Sequence, residues 1–166
     1  LRGLESLNRG RYARAQKDIE TAQAYPVGLV GRGRGAQFNY LLGLINKKTG
    51  KSAAAESLFR KALEVDIEEG GSDREYLYYQ GLALKELGRI EESRKLFQDM
   101  LSNVQSRRDD TRFFTQFEGG QTDESRIALN NYLMGLAYEG LGEKAMAKEA
   151  FTGTLKINPG HIWSKV

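Results

Sequence analysis

Cysteine is absent from this 166-residue chain, histidine and tryptophan occur once each, and proline occurs twice. Without thiols there can be no disulfide framework and no thiolate metal site, which leaves the redox compartment undetermined. A single imidazole, His161, excludes a metal site built from several histidines. No apolar run approaches the roughly 18 residues of a membrane helix, so no segment is expected to span a bilayer. The chain has no initiator methionine and no recognisable signal peptide. It opens in what reads as a helix, LRGLESLN, and is therefore taken as a fragment of something longer.

What is present suits an ordered protein: 40% hydrophobic and 28% charged residues, in a length sufficient for one sizeable core. The formal charge of +3 is unevenly spread. Residues 1–35 carry seven basic and three acidic side chains, a net +4 that leaves −1 for the rest. Elsewhere lysine and arginine alternate with glutamate on helical segments, as on a solvated face. A nucleic-acid partner is not expected, because no basic stripe with interleaved aromatics is sustained.

The organising stretch runs from Tyr40 to Ile67. Gly43 and Ala55 permit two helix backbones to approach closely, while Leu58, Phe59, Ala62 and Leu63 recur at the spacing of one helical face. Gly43, Gly50, Ala55, Phe59 and Ala62 stand at the offsets of a 34-residue helix-turn-helix unit, and here the sequence resembles a tetratricopeptide repeat. Gly81, Gly88, Ser93, Phe97 and Met100 repeat that register, as do Gly135, Gly142, Ala147 and Phe151, followed by Pro159. A turn at Gly10 followed by Ala15, Ile19 and Ala22 marks a first repeat that has lost most of its first helix. The resemblance implies an all-α solenoid, a right-handed superhelix of about four repeats in one domain. The repeats fall near 1–25 (partial), 36–68, 73–104 and 126–159, with helices of the central one near 36–49 and 51–66. YPVGLVGRGRG, with a proline and four glycines, reads as a linker, and Ser72 or Asp73 as an N-cap. Residues 160–166, with His161 and Trp163, read as the start of a capping helix.

Gly81 and Gly135 are 54 residues apart, 20 more than the period, which places an insert at 105–124. It holds Phe113, Phe114 and Phe117, and three such rings call for cover. They either pack on the repeat surface or border a ligand groove. In tetratricopeptide arrays the first helices line the inner surface, which by resemblance points Tyr40 and Leu44, Tyr78 and Leu82, and Tyr132 and Leu136 into a groove, rimmed by Lys47, Lys85 and Glu139. Tyrosine suits a binding wall, although aromatics at helical spacing also serve as core. Family members that clamp a peptide carboxylate use lysine and asparagine at these places, so that function is disfavoured.

Two nucleotide-binding look-alikes are set aside. Thr49-Gly50-Lys51-Ser52 ends like a phosphate loop, but Ile45 stands where that motif needs glycine. Gly31 to Ala36 matches the dinucleotide fingerprint in letters, without the strand that must precede it. The carboxylate pairs Glu68-Glu69, Glu91-Glu92 and Asp109-Asp110 have no nucleophile or base beside them, and adjacent helical residues do not share a site. No catalytic residue, metal or cofactor is expected. The order of linker, repeats and insert also resembles the C-terminal repeat region of large bacterial proteins of the DUF5107 family, which would put any sugar chemistry outside these residues. The expected function is non-catalytic binding of a peptide, a helix or a neighbouring domain. The competing reading is a structural spacer or a homo-oligomerising module.

Overall fold

A computed structural model of the chain describes residues 2–25, 33–67, 73–114, 121–161 and 164, and the side chains of all of these except 107–114 and 121–123. Every regular element among them is helical. In chain order they are α1 (Arg2–Asn8), α2 (Tyr12–Gln23), α3 (Arg34–Lys48), α4 (Ser52–Leu63), a 3₁₀ turn at Arg74–Tyr76, α5 (Leu77–Glu86), α6 (Ile90–Phe114), α7 (Gln121–Leu141) and α8 (Lys144–Ile157). The contacts group them into two compact units, Leu1–Ser93 and Arg94–Val166.

Each hairpin turn is built in the same way. Gly10, Gly50, Gly88 and Gly142 all adopt positive φ, between 69° and 85°, the region from which a Cβ is sterically disfavoured. At the central turn the Gly50 N–H donates to the Lys47 carbonyl (3.2 Å) and the Lys51 N–H to the Asn46 carbonyl (2.8 Å). The same two bonds recur at Gly10–Arg11, Gly88–Arg89 and Gly142–Glu143. This is the Schellman arrangement, which satisfies the last carbonyls of one helix while turning the chain into the next. The residue five after each glycine is small and buried: Ala15, Ala55, Ser93 and Ala147. Ser93 Oγ further donates to the Gly81 carbonyl at 2.7 Å, tying the start of α6 to α5.

Side-chain packing then closes the hairpins. A Cβ on Gly43 would stand 2.5 Å from the Phe59 ring, and one on Gly135 would overlap Phe151 in the same way. Gly3 meets Ile19 at the matching place, so α1, seven residues long, still supplies the helix glycine of the first hairpin. Tyr40 lies against Phe59 with ring centroids 5.9 Å apart, and Tyr132 against Phe151 at 6.1 Å. Within the second unit Phe97, fully buried, presses on Gly140 of α7. The repeat pattern does not anticipate that contact, since it singles out Gly135 in this helix.

Two expectations meet a different arrangement. The insert at 105–124 reads as a loop, yet its first ten residues prolong α6 to Phe114 and its last four begin α7 at Gln121. Long polar runs without proline extend a helix at little cost once packing has nucleated it. Asp73 does not cap its own 3₁₀ turn; its Oδ2 accepts the Gly33 N–H at 3.0 Å, capping the start of α3 from forty residues away. Ser72 and most of the linker, residues 26–32, lie outside the described residues. The α4 end is also satisfied from a distance: buried Gln80 donates from Nε2 to the carbonyls of Ala62 (3.1 Å) and Val65 (2.7 Å).

Two substitutions separate these causes. Gly43→Ala forces a methyl group into the Phe59 ring and is expected to cost about 1–3 kcal/mol in urea unfolding, as overpacking does. Gln80→Leu leaves buried carbonyls without a donor and is expected to cost about 1–3 kcal/mol with helicity retained at low denaturant.

Candidate interaction surface

In the first unit α3 and α5 lie side by side. Tyr40 meets Tyr79 with ring centroids 5.9 Å apart, and Lys47 Nζ bonds Glu86 Oε2 at 2.5 Å. Both contacts advance by seven residues in each helix, so the two helices run in the same direction. Residues 40, 44 and 47 occupy one face of α3, and 78, 82 and 85 one face of α5, at helical spacing.

The predicted residues on these faces differ in what they offer. Leu44, Tyr78 and Leu82 are half-buried, and Lys47 and Lys85 are exposed. Tyr40 is only 8% exposed, packed between Phe59 and Tyr79. Burial, reinforced by the charge of Glu86 and by Tyr79, pushes the Tyr40 hydroxyl well above the tyrosine range, so it stays un-ionised at neutral pH. Tyr78 presents its ring edge-on to Tyr79, centroids 5.4 Å apart. The sequence reading missed Tyr79, which bridges the two helices: its hydroxyl accepts from Gln37 Nε2 at 2.7 Å. Its position, one residue after Tyr78, turns it toward α3 instead of outward.

In the second unit Tyr132 and Leu136 are buried, and Glu139 is exposed. Tyr132 sits between Phe151 and the His161 ring, the latter with centroids 4.5 Å apart. His161 Nδ1 and Ser164 Oγ are 2.8 Å apart, and burial holds the imidazole below its ordinary pKa. Of the insert residues, Phe113 and Phe114 belong to the helical backbone of α6, their side chains undescribed, and Phe117 lies outside the described residues, as does Trp163.

Other groups form smaller constellations. Arg34 lies over the Phe38 ring at 5.4 Å. Burial, with some help from Asp73, raises the Glu75 carboxyl, while its hydrogen bond to Tyr76 and the charge of Arg34 act the other way. A cleft of about 480 Å³ opens beside the Lys47–Glu86 pair, floored by Phe59 and Leu87 and flanked by Arg60 and Arg89. Arg60 is paired with Glu56 and Arg89 with Glu92, so this cleft has little unbalanced charge. Among the described residues no three histidines, acids or cysteines gather as a metal site would require, and no helix is long and apolar enough to cross a membrane.

Family models described as tetratricopeptide repeat match residues 1–66 and 46–109, and a second model of the same description matches 120–161. The chain belongs to the tetratricopeptide repeat family, an all-α helical-repeat class whose members generally mediate protein–protein interaction. Solved structures similar to it include the MamA RS-1 ArsTM double mutant, at 18% identity over 98% of this chain and 74% of that one, with a TM-score of 0.33. Another is the C-terminal part of a TPR repeat-containing protein from Cytophaga hutchinsonii, at 15% identity over 99% of this chain and 84% of that one, also with a TM-score of 0.33. No curated protein sequence matches the chain.

The depressed pKa of His161 sets a pH dependence. Its neutral form is favoured in the folded state, so the stabilisation is complete above the free histidine value of about 6.5 and is lost as pH falls through the lower folded value. The Tyr132–His161 contact should therefore loosen as pH falls through that lowered value, seen as shifted Tyr132 ring resonances in NMR, and His161→Gln should abolish that titration.

Proposed function

We propose that this chain is a non-catalytic interaction module that holds a peptide, a helix or a neighbouring domain of a longer polypeptide on the face shared by α3 and α5. Leu44, Tyr78 and Leu82 supply the apolar contact, and Lys47 and Lys85 the charged rim. Leu136 and Glu139 take the corresponding places on α7 within the second unit, Leu136 buried and Glu139 exposed. Tyr40 acts from beneath, holding α3 against α4 and α5, while Tyr132 holds α7 against α8 within the second unit. The observation that carries the reading is that Leu44, Tyr78 and Leu82 are all half-buried, on two helices fixed side by side by Tyr79 and by the Lys47–Glu86 pair. A rigid aromatic with an apolar flank gives a large contact area at small entropic cost. No general base, nucleophile or metal enters this account.

Peptides selected from a displayed random library against the intact chain test the assignment. Tyr78→Ala and Leu82→Ala should each weaken a selected peptide about tenfold, with circular dichroism unchanged, the loss usual for an interface anchor. Equal binding by both variants would remove this face from consideration. Sedimentation across concentration tests the rival role: a dimer dissociated by Tyr78→Ala would mean that the face buries against a second copy.

A further inference from the structure

A second cleft, of about 600 Å³, lies between α7 and α8 inside the second unit, on a different face of α7 from Tyr132 and Leu136. Met134 and Tyr138 come from α7, and Met146 and Ala150 from α8. Two of the chain's three methionines are thus spent on one surface, and Met146 is 45% exposed. Methionine adapts its unbranched, polarisable side chain to differing apolar partners, and the pair here lines one cleft and can accommodate an inserted side chain. Lys148 and Lys156 also line this cleft, with Glu149 as its single acid. They are eight residues apart on α8, about 12 Å along the axis. No ion pair among the described residues engages either ammonium group, whereas Lys47, Arg60 and Arg89 of the first unit are all paired. Helix α8 as a whole carries three lysines against one glutamate.

We infer that the α7–α8 cleft is a docking site for an acidic protein segment that inserts one unbranched or γ-branched apolar side chain between Met134 and Met146 and sets carboxylates against Lys148 and Lys156. The lysine spacing fixes the geometry of the occupant. An extended segment covers about 12 Å in roughly four residues, and a helical one in two turns, so the occupant carries two acids at that separation. Charge complementarity steers the encounter, and the apolar insertion sets the lifetime. This cleft is independent of the α3–α5 face.

The test uses the intact chain and a dye-labelled synthetic peptide with glutamates on both sides of a single central leucine, read by fluorescence anisotropy. Binding that weakens as salt rises is expected, with about tenfold loss on Met146→Ala and at least as much on the Lys148→Glu, Lys156→Glu double variant. Tyr78→Ala should leave it unchanged, which separates failure here from failure of the α3–α5 assignment. All three positions on α8 are exposed, so these variants retain the helical spectrum and melting temperature. No binding by the acidic peptide, or equal binding by one with lysines in place of the glutamates, overturns the proposal. So does undiminished affinity in the double variant, or a dimer that Met146→Glu dissociates, which would give the cleft to a second copy.

Discussion

A helix backbone pressed directly against a bulky side chain is the constraint from which the rest of this fold follows. Gly43 against Phe59, Gly135 against Phe151 and Gly3 against Ile19 bring paired helices nearer than any Cβ would allow. At that separation one side chain covers its partner helix from the middle, and the flanking tyrosine closes over it, as Tyr40 does on Phe59 and Tyr132 on Phe151. Burying a residue of this size contributes about 1.5–3 kcal/mol, and a single thin hairpin has room for few of them. The buried tyrosines are thus part of the scaffold, and the proposed contact surface is displaced to their half-buried neighbours.

The repeats were legible because a few residue types at fixed offsets carry their geometry. Glycine at a positive-φ turn, a small residue five places later and a bulky apolar one further on have few substitutes of similar physics, so the helices of the central repeat could be placed to within a few residues. The tyrosine ladder was less legible. Tyr40, Tyr78 and Tyr132 share a template position, yet Tyr40 and Tyr132 are buried while Tyr78 is half-exposed, because what covers each ring comes from elsewhere in the chain: Tyr79 in one case and His161 in another. Asp73 and Gln80 were illegible as tertiary caps for the same reason. Each satisfies a helix end distant in sequence, and nothing local to either residue announces its partner. The insert misled in the opposite sense. Its polar, aromatic composition resembles a loop, but lengthening two existing helices needs no new nucleation.

The two candidate surfaces differ in chemistry. The α3–α5 face couples a tyrosine and leucines to lysines, one of which is committed to Glu86. The α7–α8 cleft couples methionine and alanine to ammonium groups outside the ion pairs of the described residues. Aromatic anchoring favours a defined partner geometry, whereas methionine tolerates variation in the inserted side chain. If both proposed surfaces are used, the first would select its partner more strictly than the second.

The closing turns have a bearing on how such a chain can change over time. From the helix glycine to the ring or isoleucine that rests on it is always sixteen residues, at Gly3–Ile19, Gly43–Phe59 and Gly135–Phe151, whereas successive hairpins are separated by 40, 38 and 54. Every bond that makes a turn is local to it, so residues added between hairpins leave these three glycine contacts in register. One residue added inside a hairpin would rotate the ring about 100° off its glycine. Added length is therefore borne more easily by the connections, where it leaves the packing inside each hairpin undisturbed.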